Sequence, residues 1–112
     1  MAFNNSISSF TFHDKTTTIG DGAIFEVTGA SNTINIEFIT NGTFTAKLMA
    51  QVIDETKWYP YECFKKPTYD LITDTITDSN YIYSTDMTGI SKLKIVITAI
   101  SGELTVLGKA VG

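Results

Sequence analysis

Residues 44–52, FTAKLMAQV, carry the pattern that decides the fold of this chain. Every second side chain from Phe44 to Val52 is apolar, whereas the side chains between them are mostly polar. Because successive side chains of a strand point to opposite faces, this alternation predicts a β-strand with one face on a core and the other in water.

The same period of two recurs along the chain, and turn residues such as Asn41-Gly42 separate the alternating runs. In the run 92–100, the predicted inward set is Leu93, Ile95, Ile97 and Ala99. Ser101-Gly102 indicates a tight hairpin. The strands are predicted near 7–13, 23–28, 33–40, 43–53, 58–64, 70–77, 81–86, 92–100 and 103–111.

Turns about ten residues apart, with short strands between them, are typical of a sandwich or barrel. No segment keeps a helical period for two turns, and only a short helical turn is expected, at 87–91. The prediction is therefore an all-β, antiparallel β-sandwich of jelly-roll type, with eight or nine strands in a single domain spanning residues 1–112.

Composition agrees with that fold class and excludes one class of partner. The chain of 112 residues contains eighteen threonines, and Thr, Val, Ile, Phe and Tyr favour strands over helices. The net charge is −4, and all eight basic residues are lysines. Without arginine or a basic patch, nucleic-acid binding is not expected. Lys92 and Lys94 are expected to be solvated.

The expected site of synthesis is a reducing cytoplasm. Cys63 is the sole cysteine, residues 1–6 do not resemble a secretory signal, and no apolar run approaches a membrane span of about 18 residues. Whether the protein remains there is a separate question, because assembled particles leave cells by lysis without any signal.

Catalytic chemistry is not expected. His13 is the single histidine and is predicted to be a surface residue, whereas Cys63 is predicted to be a buried, inert thiol. Asp70, Asp74 and Asp78 recur every four residues, about 13 Å apart in an extended strand, which is too far for joint calcium binding. Only a folded-back loop would bring them together, so a solvated strand is predicted, with no cofactor.

The aromatic residues are the remaining candidates for binding. Trp58 and Tyr59 point to opposite faces of an extended segment, and Trp58 is assigned to the core as an anchor. Tyr59, Tyr61, Tyr81 and Tyr83 form a candidate platform for a sugar ring or a partner surface. The alternative is that these tyrosines pair across strands and only stabilise the sheet.

Two stretches resemble small β-sandwich proteins of the structural modules of tailed bacteriophages. The first is Gly42-Thr43-Phe44 with the later segment 54–60, DETKWYP, which is similar to an Asp-Gly-x-x-Trp-x-Pro hairpin. The second runs from Tyr81 to Val111 and is similar to a Gly-Leu-x-x-Leu-Arg strand, a Ser-Gly-Gly hairpin and an ending in Gly-x-Ala-Val. Glu55 and Lys94 depart from the pattern, in which a glycine and an arginine are usual.

The resemblance implies a virion-associated protein: a capsid decoration protein, a fibre head or a tail adhesion domain. It supplies no catalytic residues to carry over. Copies of the same chain are expected partners because a small sandwich has edge strands that must be covered or charged, and the candidate contacts are Phe3, Ile7 and the early strand. Other virion proteins are the partners that the resemblance implies. If the protein is an adhesion domain, a host-surface glycan is a further expected partner. The alternative function is a carbohydrate-binding module that stacks glycans on the exposed tyrosines.

Overall fold

Ten β-strands make up the described part of the protein in a computed structural model, which describes residues 8–27, 32–53 and 57–111. Residues 54–56 of the predicted hairpin, together with Phe3 and Ile7, lie outside these ranges. The strands are β1 (Ser8–Thr16), β2 (Phe25–Glu26), β3 (Thr33–Thr40), β4 (Thr43–Gln51), β5 (Tyr59–Pro60), β6 (Cys63–Lys66), β7 (Asp70–Ile72), β8 (Ile82–Asp86), β9 (Lys92–Ser101) and β10 (Leu104–Val111).

Two antiparallel sheets face each other. One has six strands in the order β1-β10-β3-β8-β6-β7, and the other has four in the order β2-β9-β4-β5. If the β6–β7 hairpin is set aside, eight strands remain, four in each sheet, connected in the Greek-key manner of a jelly roll. The predicted all-β sandwich is confirmed.

The core lies between the sheets and follows the predicted alternation. On β4 the buried apolar side chains are Phe44, Ala46, Leu48 and Ala50. Facing them from the six-stranded sheet, Phe38 stacks on Phe44 with ring centroids 5.0 Å apart, and Tyr83 meets Phe38 edge-on at 5.4 Å. Offset and edge-to-face contacts of this kind stabilise a core beyond simple burial.

The predicted hairpin at Ser101-Gly102 is wrong. β9 pairs with β4 in one sheet, whereas β10 pairs with β3 and β1 in the other. A hairpin would place both strands in one sheet, but each strand has an apolar face that must be covered by the opposite sheet. The Ser101-Gly102 turn therefore carries the chain from one sheet to the other.

A second crossing, from β3 to β4 at Asn41-Gly42, packs directly against the first. The side-chain oxygen of Asn41 accepts a hydrogen bond from the Glu103 amide at 2.8 Å, and the Thr40 hydroxyl donates to the Glu103 carbonyl at 2.8 Å. The backbones approach so closely that a Cβ on Gly42 would overlap the carbonyl of Ser101. Gly102 has φ +88°, a conformation that favours glycine.

Two assignments of inward residues are wrong. A bulge places Thr45 opposite Ala99 and Ala46 opposite Ile97, so Thr98 is an extra residue in β9 and the alternation reverses there. Ala99 is consequently exposed. Val52 is also exposed, at 50%, because β4 ends at Gln51.

Two predicted strands are shorter than expected. The stretch 58–64 divides into β5, in the four-stranded sheet, and the start of β6, in the six-stranded sheet. The stretch 70–77 contributes only β7 and an isolated bridge between Ile76 and Ala46. Residues 87–90 form a reverse turn instead of a helical one: the Ile90 amide donates to the Met87 carbonyl at 3.0 Å, and Gly89 has φ +82°.

Gly42→Ala tests the contact between the two crossings. The added methyl group must displace the backbone at Ser101, and we expect the free energy of unfolding to fall by roughly 3 kcal/mol. Urea denaturation measures the change, with Thr43→Ala, at an exposed neighbouring position, as the control. Equal stability of both variants would contradict the close approach.

A second prediction concerns alkaline pH. Burial raises the pKa of the Cys63 thiol from 9.0 to about 11, and burial, followed by the charge of Asp78, raises the pKa of Tyr83 from 10.0 to about 12. Because the folded state disfavours both anions, stability is complete below about pH 9 and declines as the pH rises through 11. Cys63→Ala is expected to make the decline shallower. Thermal unfolding between pH 7 and 11 measures the loss of stability. Parallel curves for the unmodified chain and Cys63→Ala would contradict the contribution assigned to the Cys63 thiol.

Candidate functional site

Trp58 lies on the outer face of the four-stranded sheet, and its assignment to the core is wrong. Met49 faces outward from β4 and stands opposite both Pro60 and Lys94. Since side chains two residues apart in an extended segment share a face, Trp58 lies on the same side as Pro60. Its side chain is half-buried there.

The Trp58 ring is covered by a lysine that is itself ion-paired. The Lys94 ammonium lies 4.3 Å from the ring centroid and 2.9 Å from a carboxylate oxygen of Asp21, and the lysine side chain is only 12% exposed. The expectation that Lys94 is solvated is therefore wrong, because the indole and the carboxylate occupy its surroundings. This Asp21–Lys94–Trp58 cluster connects the loop before β2, the strand β9 and the segment before β5.

Two of the four platform tyrosines are held by hydrogen bonds through their hydroxyl groups. Tyr83 is 1% exposed, and its hydroxyl donates to the Asp78 carbonyl at 2.6 Å, so its assignment to an exposed platform is wrong. It lies on the inward face of β8. Tyr61 is half-buried and donates to the Asp86 carbonyl at 2.6 Å. Burial, followed by the nearby negative charges of Asp86 and Glu62, raises the pKa of Tyr61.

The other two tyrosines are each covered by a lysine. Tyr59 is about half-exposed on β5, and the Lys57 ammonium lies 5.2 Å from its ring centroid. Tyr81 is half-buried, and the Lys65 ammonium lies 4.1 Å from its ring centroid. Because Tyr59 belongs to the four-stranded sheet and Tyr81 precedes a strand of the other sheet, the structure does not bring them together as one surface.

The three aspartates have separate partners. A carboxylate oxygen of Asp74 lies 3.7 Å from the ammonium of Lys47, and a carboxylate oxygen of Asp78 accepts a hydrogen bond from the Asn80 amide at 2.9 Å. Asp70 stands opposite Lys65 only in the backbone register of β7 and β6. Within the described ranges, no three side chains of His, Cys, Asp or Glu are close enough to hold a metal ion.

His13 is buried, so its prediction as a surface residue is wrong. A bulge in β1 turns the ring inward, and Nε2 lies 2.6 Å from the Ile95 carbonyl of the opposite sheet. Because the carbonyl only accepts, Nε2 is the donor. Cys63 is buried as predicted. Among the residues that the structure describes, no helix is long and apolar enough to cross a membrane.

The outer face of the six-stranded sheet carries two features that the sequence did not reveal. The first is a groove of about 450 Å³, here called the sheet groove, which is lined by Ser9, Phe10, Thr11, Asn35, Ile36, Glu37, Ile82, Leu107, Gly108 and Lys109. Alternation alone places most of its polar residues on an outward face, but it does not show that β1, β10 and β3 are neighbours.

The second feature is an apolar patch of Phe64, Leu71 and Ile82, which are 45%, 47% and 51% exposed. Phe64 stands directly opposite Leu71, and Ile82 lies on the neighbouring strand β8. Large apolar side chains that are grouped on a sheet surface, instead of scattered singly, indicate an interaction surface.

Comparison with known proteins finds a matching family model and similar crystal structures. A family model described as XepA matches residues 6–110. The crystal structure of the SPBc2 prophage-derived protein YomS superimposes with a TM-score of 0.90 at 20% identity, covering 100% of this chain and 98% of that chain. The crystal structure of the PBSX exported protein XepA gives a TM-score of 0.90 at 17% identity, covering 100% of this chain and 40% of that chain. No curated protein matches significantly.

A double-mutant cycle tests the contact between Lys94 and Trp58. Lys94→Met and Trp58→Leu, made singly and together, are expected to show a coupling free energy of about 0.5–1 kcal/mol in urea denaturation. The lysine is largely withdrawn from water, so the coupling should persist at high salt. Strictly additive effects would contradict a direct interaction.

Proposed function

Because the chain belongs to the XepA family, we propose that it is a non-catalytic bacteriophage protein that assembles with copies of itself and is carried in the virion. The family and the fold place it among phage-associated proteins. A role as a decoration protein, fibre head or adhesion domain is the finer part of this proposal. The relative described as exported supports a final location outside the cell.

The observation that carries the proposal is the apolar patch. Leu71 lies on β7, the last strand of the six-stranded sheet, Phe64 lies on the adjacent strand β6, and Ile82 lies on β8 beyond it. The outer backbone edge of β7 has no neighbouring strand among the described residues. An open edge next to exposed apolar side chains is a surface that a soluble protein normally protects or covers. Contact with a second copy, or with a particle lattice, would cover the open edge of β7 and the apolar side chains together.

The proposed mechanism is passive. Apolar contact at the patch supplies the association free energy, at about 25 cal/mol for each Å² buried. The Asp21–Lys94–Trp58 cluster keeps the outer face of the four-stranded sheet internally paired. Assembly is therefore directed to one face of the sandwich.

The alternative function, a carbohydrate-binding module built on the tyrosines, loses its geometric basis. Tyr83 is buried, and Tyr61 is half-buried and hydrogen-bonded. Tyr59 lies on the four-stranded sheet, whereas Tyr81 directly precedes a strand of the six-stranded sheet. Stacking of successive sugar rings requires aromatic faces that are exposed and adjacent. These four residues do not supply such a surface.

Light scattering during size-exclusion chromatography tests self-assembly. At micromolar concentration, the unmodified chain is expected to elute at a multiple of 12.3 kDa, and Phe64→Ser with Leu71→Ser is expected to shift it to the single-chain mass. Ile19→Ser is the control, since Ile19 is 65% exposed in the loop between β1 and β2. A strict monomer would overturn the assembly claim. Absence of the protein from purified virions, measured by mass spectrometry, would overturn the structural role.

A further inference from the structure

The sheet groove has dimensions that suit a ligand of one or two small rings. Two rows of outward side chains cross it: Thr11–Leu107–Glu37 and Ser9–Lys109–Asn35. With about 4.8 Å between strands and about 6.7 Å between alternate residues, these rows cover a rectangle of about 10 by 7 Å. The groove volume of about 450 Å³ is within the range of small-molecule sites.

The polar side chains of the groove have no partner in the part of the chain that the structure describes. Within the described ranges, the side chains of Ser9, Thr11, Asn35, Glu37 and Lys109 make no hydrogen bond or ion pair with another residue. Elsewhere on the surface, Thr40, Asn41, Asp78 and Asp86 use their side chains to bind backbone groups. The groove thus gathers free donors and acceptors on a rigid sheet.

Apolar surface completes the recess. Leu107 stands between Thr11 and Glu37, and Ile82 lies at the β8 side. Phe10 is in the lining, but its ring packs inward on Phe12 and Phe25, at 5.0 and 5.1 Å. The ligand would therefore meet aliphatic side chains in place of a stacked aromatic ring.

We propose that the sheet groove binds a saccharide. Sugar hydroxyl groups both donate and accept, so one ring can donate to Glu37, accept from Lys109 and do both with Asn35. The C–H face of the ring covers Leu107 and Ile82. A purely apolar ligand would instead leave the carboxylate and the ammonium buried without partners, and the acidic chain does not suit a polyanion.

The polar residues of this site are separate from the apolar patch proposed for self-assembly. Asn35 and Phe64 lie on β3 and β6, with β8 between them, which places them about 10 Å apart across the sheet. Ile82 is the one residue that the groove and the apolar patch share. Substitutions at Asn35 and Lys109 therefore test the saccharide site while Phe64 and Leu71 are unchanged.

Saturation-transfer NMR with the full chain tests the proposal. The probes are glucose, galactose, N-acetylglucosamine and its β-1,4 dimer, each at about 10 mM, a concentration that detects the weak binding expected without aromatic stacking. At least one sugar is expected to receive saturation. Asn35→Ala and Lys109→Met are each expected to weaken its binding about five-fold. The dipeptide Ala-Ala, at the same concentration, is not expected to bind.

Lys47→Met and Tyr59→Ala, both on the four-stranded sheet, are the controls and are expected to leave binding unchanged. The Phe64→Ser, Leu71→Ser variant is also expected to retain it, so a failure of self-assembly would not be mistaken for loss of the sugar site. The proposal is overturned if no sugar receives saturation, if only the dipeptide does, or if Tyr59→Ala abolishes the signal while Asn35→Ala does not.

Discussion

The close packing of two sheet-to-sheet crossings is the constraint on which the rest of this structure depends. At Asn41-Gly42 and Ser101-Gly102 the chain leaves one sheet and enters the other. The two turns are joined at Glu103, whose carbonyl accepts hydrogen bonds from the Thr40 hydroxyl and the Asn41 amide and whose own amide donates to the Asn41 side-chain oxygen. Because the crossings fix the starts of β4 and β10, they set the register of the central strands. The alternating apolar residues of those strands then meet in one core.

The two outer faces left by this arrangement differ chemically. On the four-stranded sheet, Lys94 is occupied by Asp21 and Trp58, and Lys47 pairs with Asp74. On the six-stranded sheet, the polar side chains of the groove have no partner among the residues that the structure describes, and the apolar patch is exposed. The six-stranded face is therefore the surface on which the proposed functions depend, and the opposite face contributes mainly to stability.

Sequence reasoning succeeds where one local rule decides the outcome. Alternation in 33–40, 44–50 and 103–111 predicts the strands and most of the core, because period two has a single structural meaning there. Sequence reasoning fails where pairing with a strand that is distant in sequence decides whether a side chain is buried. Ala99 is exposed because of a bulge opposite Ala46, and His13 is buried because a bulge in β1 turns it toward Ile95. The opposite faces of an extended segment put either Trp58 or Tyr59 in the core, but the partner of Trp58 is Lys94, which only the pairing of β4 with β9 brings near. The sheet groove could not be predicted for the same reason, since its residues come from strands that are remote in sequence.

Hydroxyl-radical footprinting, read by mass spectrometry, tests most directly whether the six-stranded face is the working surface. The protein in purified particles is compared with the dissociated protein. Phe64 and Leu71 are expected to be oxidised several-fold less in particles. Tyr59, on the four-stranded sheet, and Ile19, in the loop between β1 and β2, are expected to be oxidised equally in both. Protection of Tyr59 and Ile19 with unchanged oxidation of Phe64 and Leu71 would contradict the account.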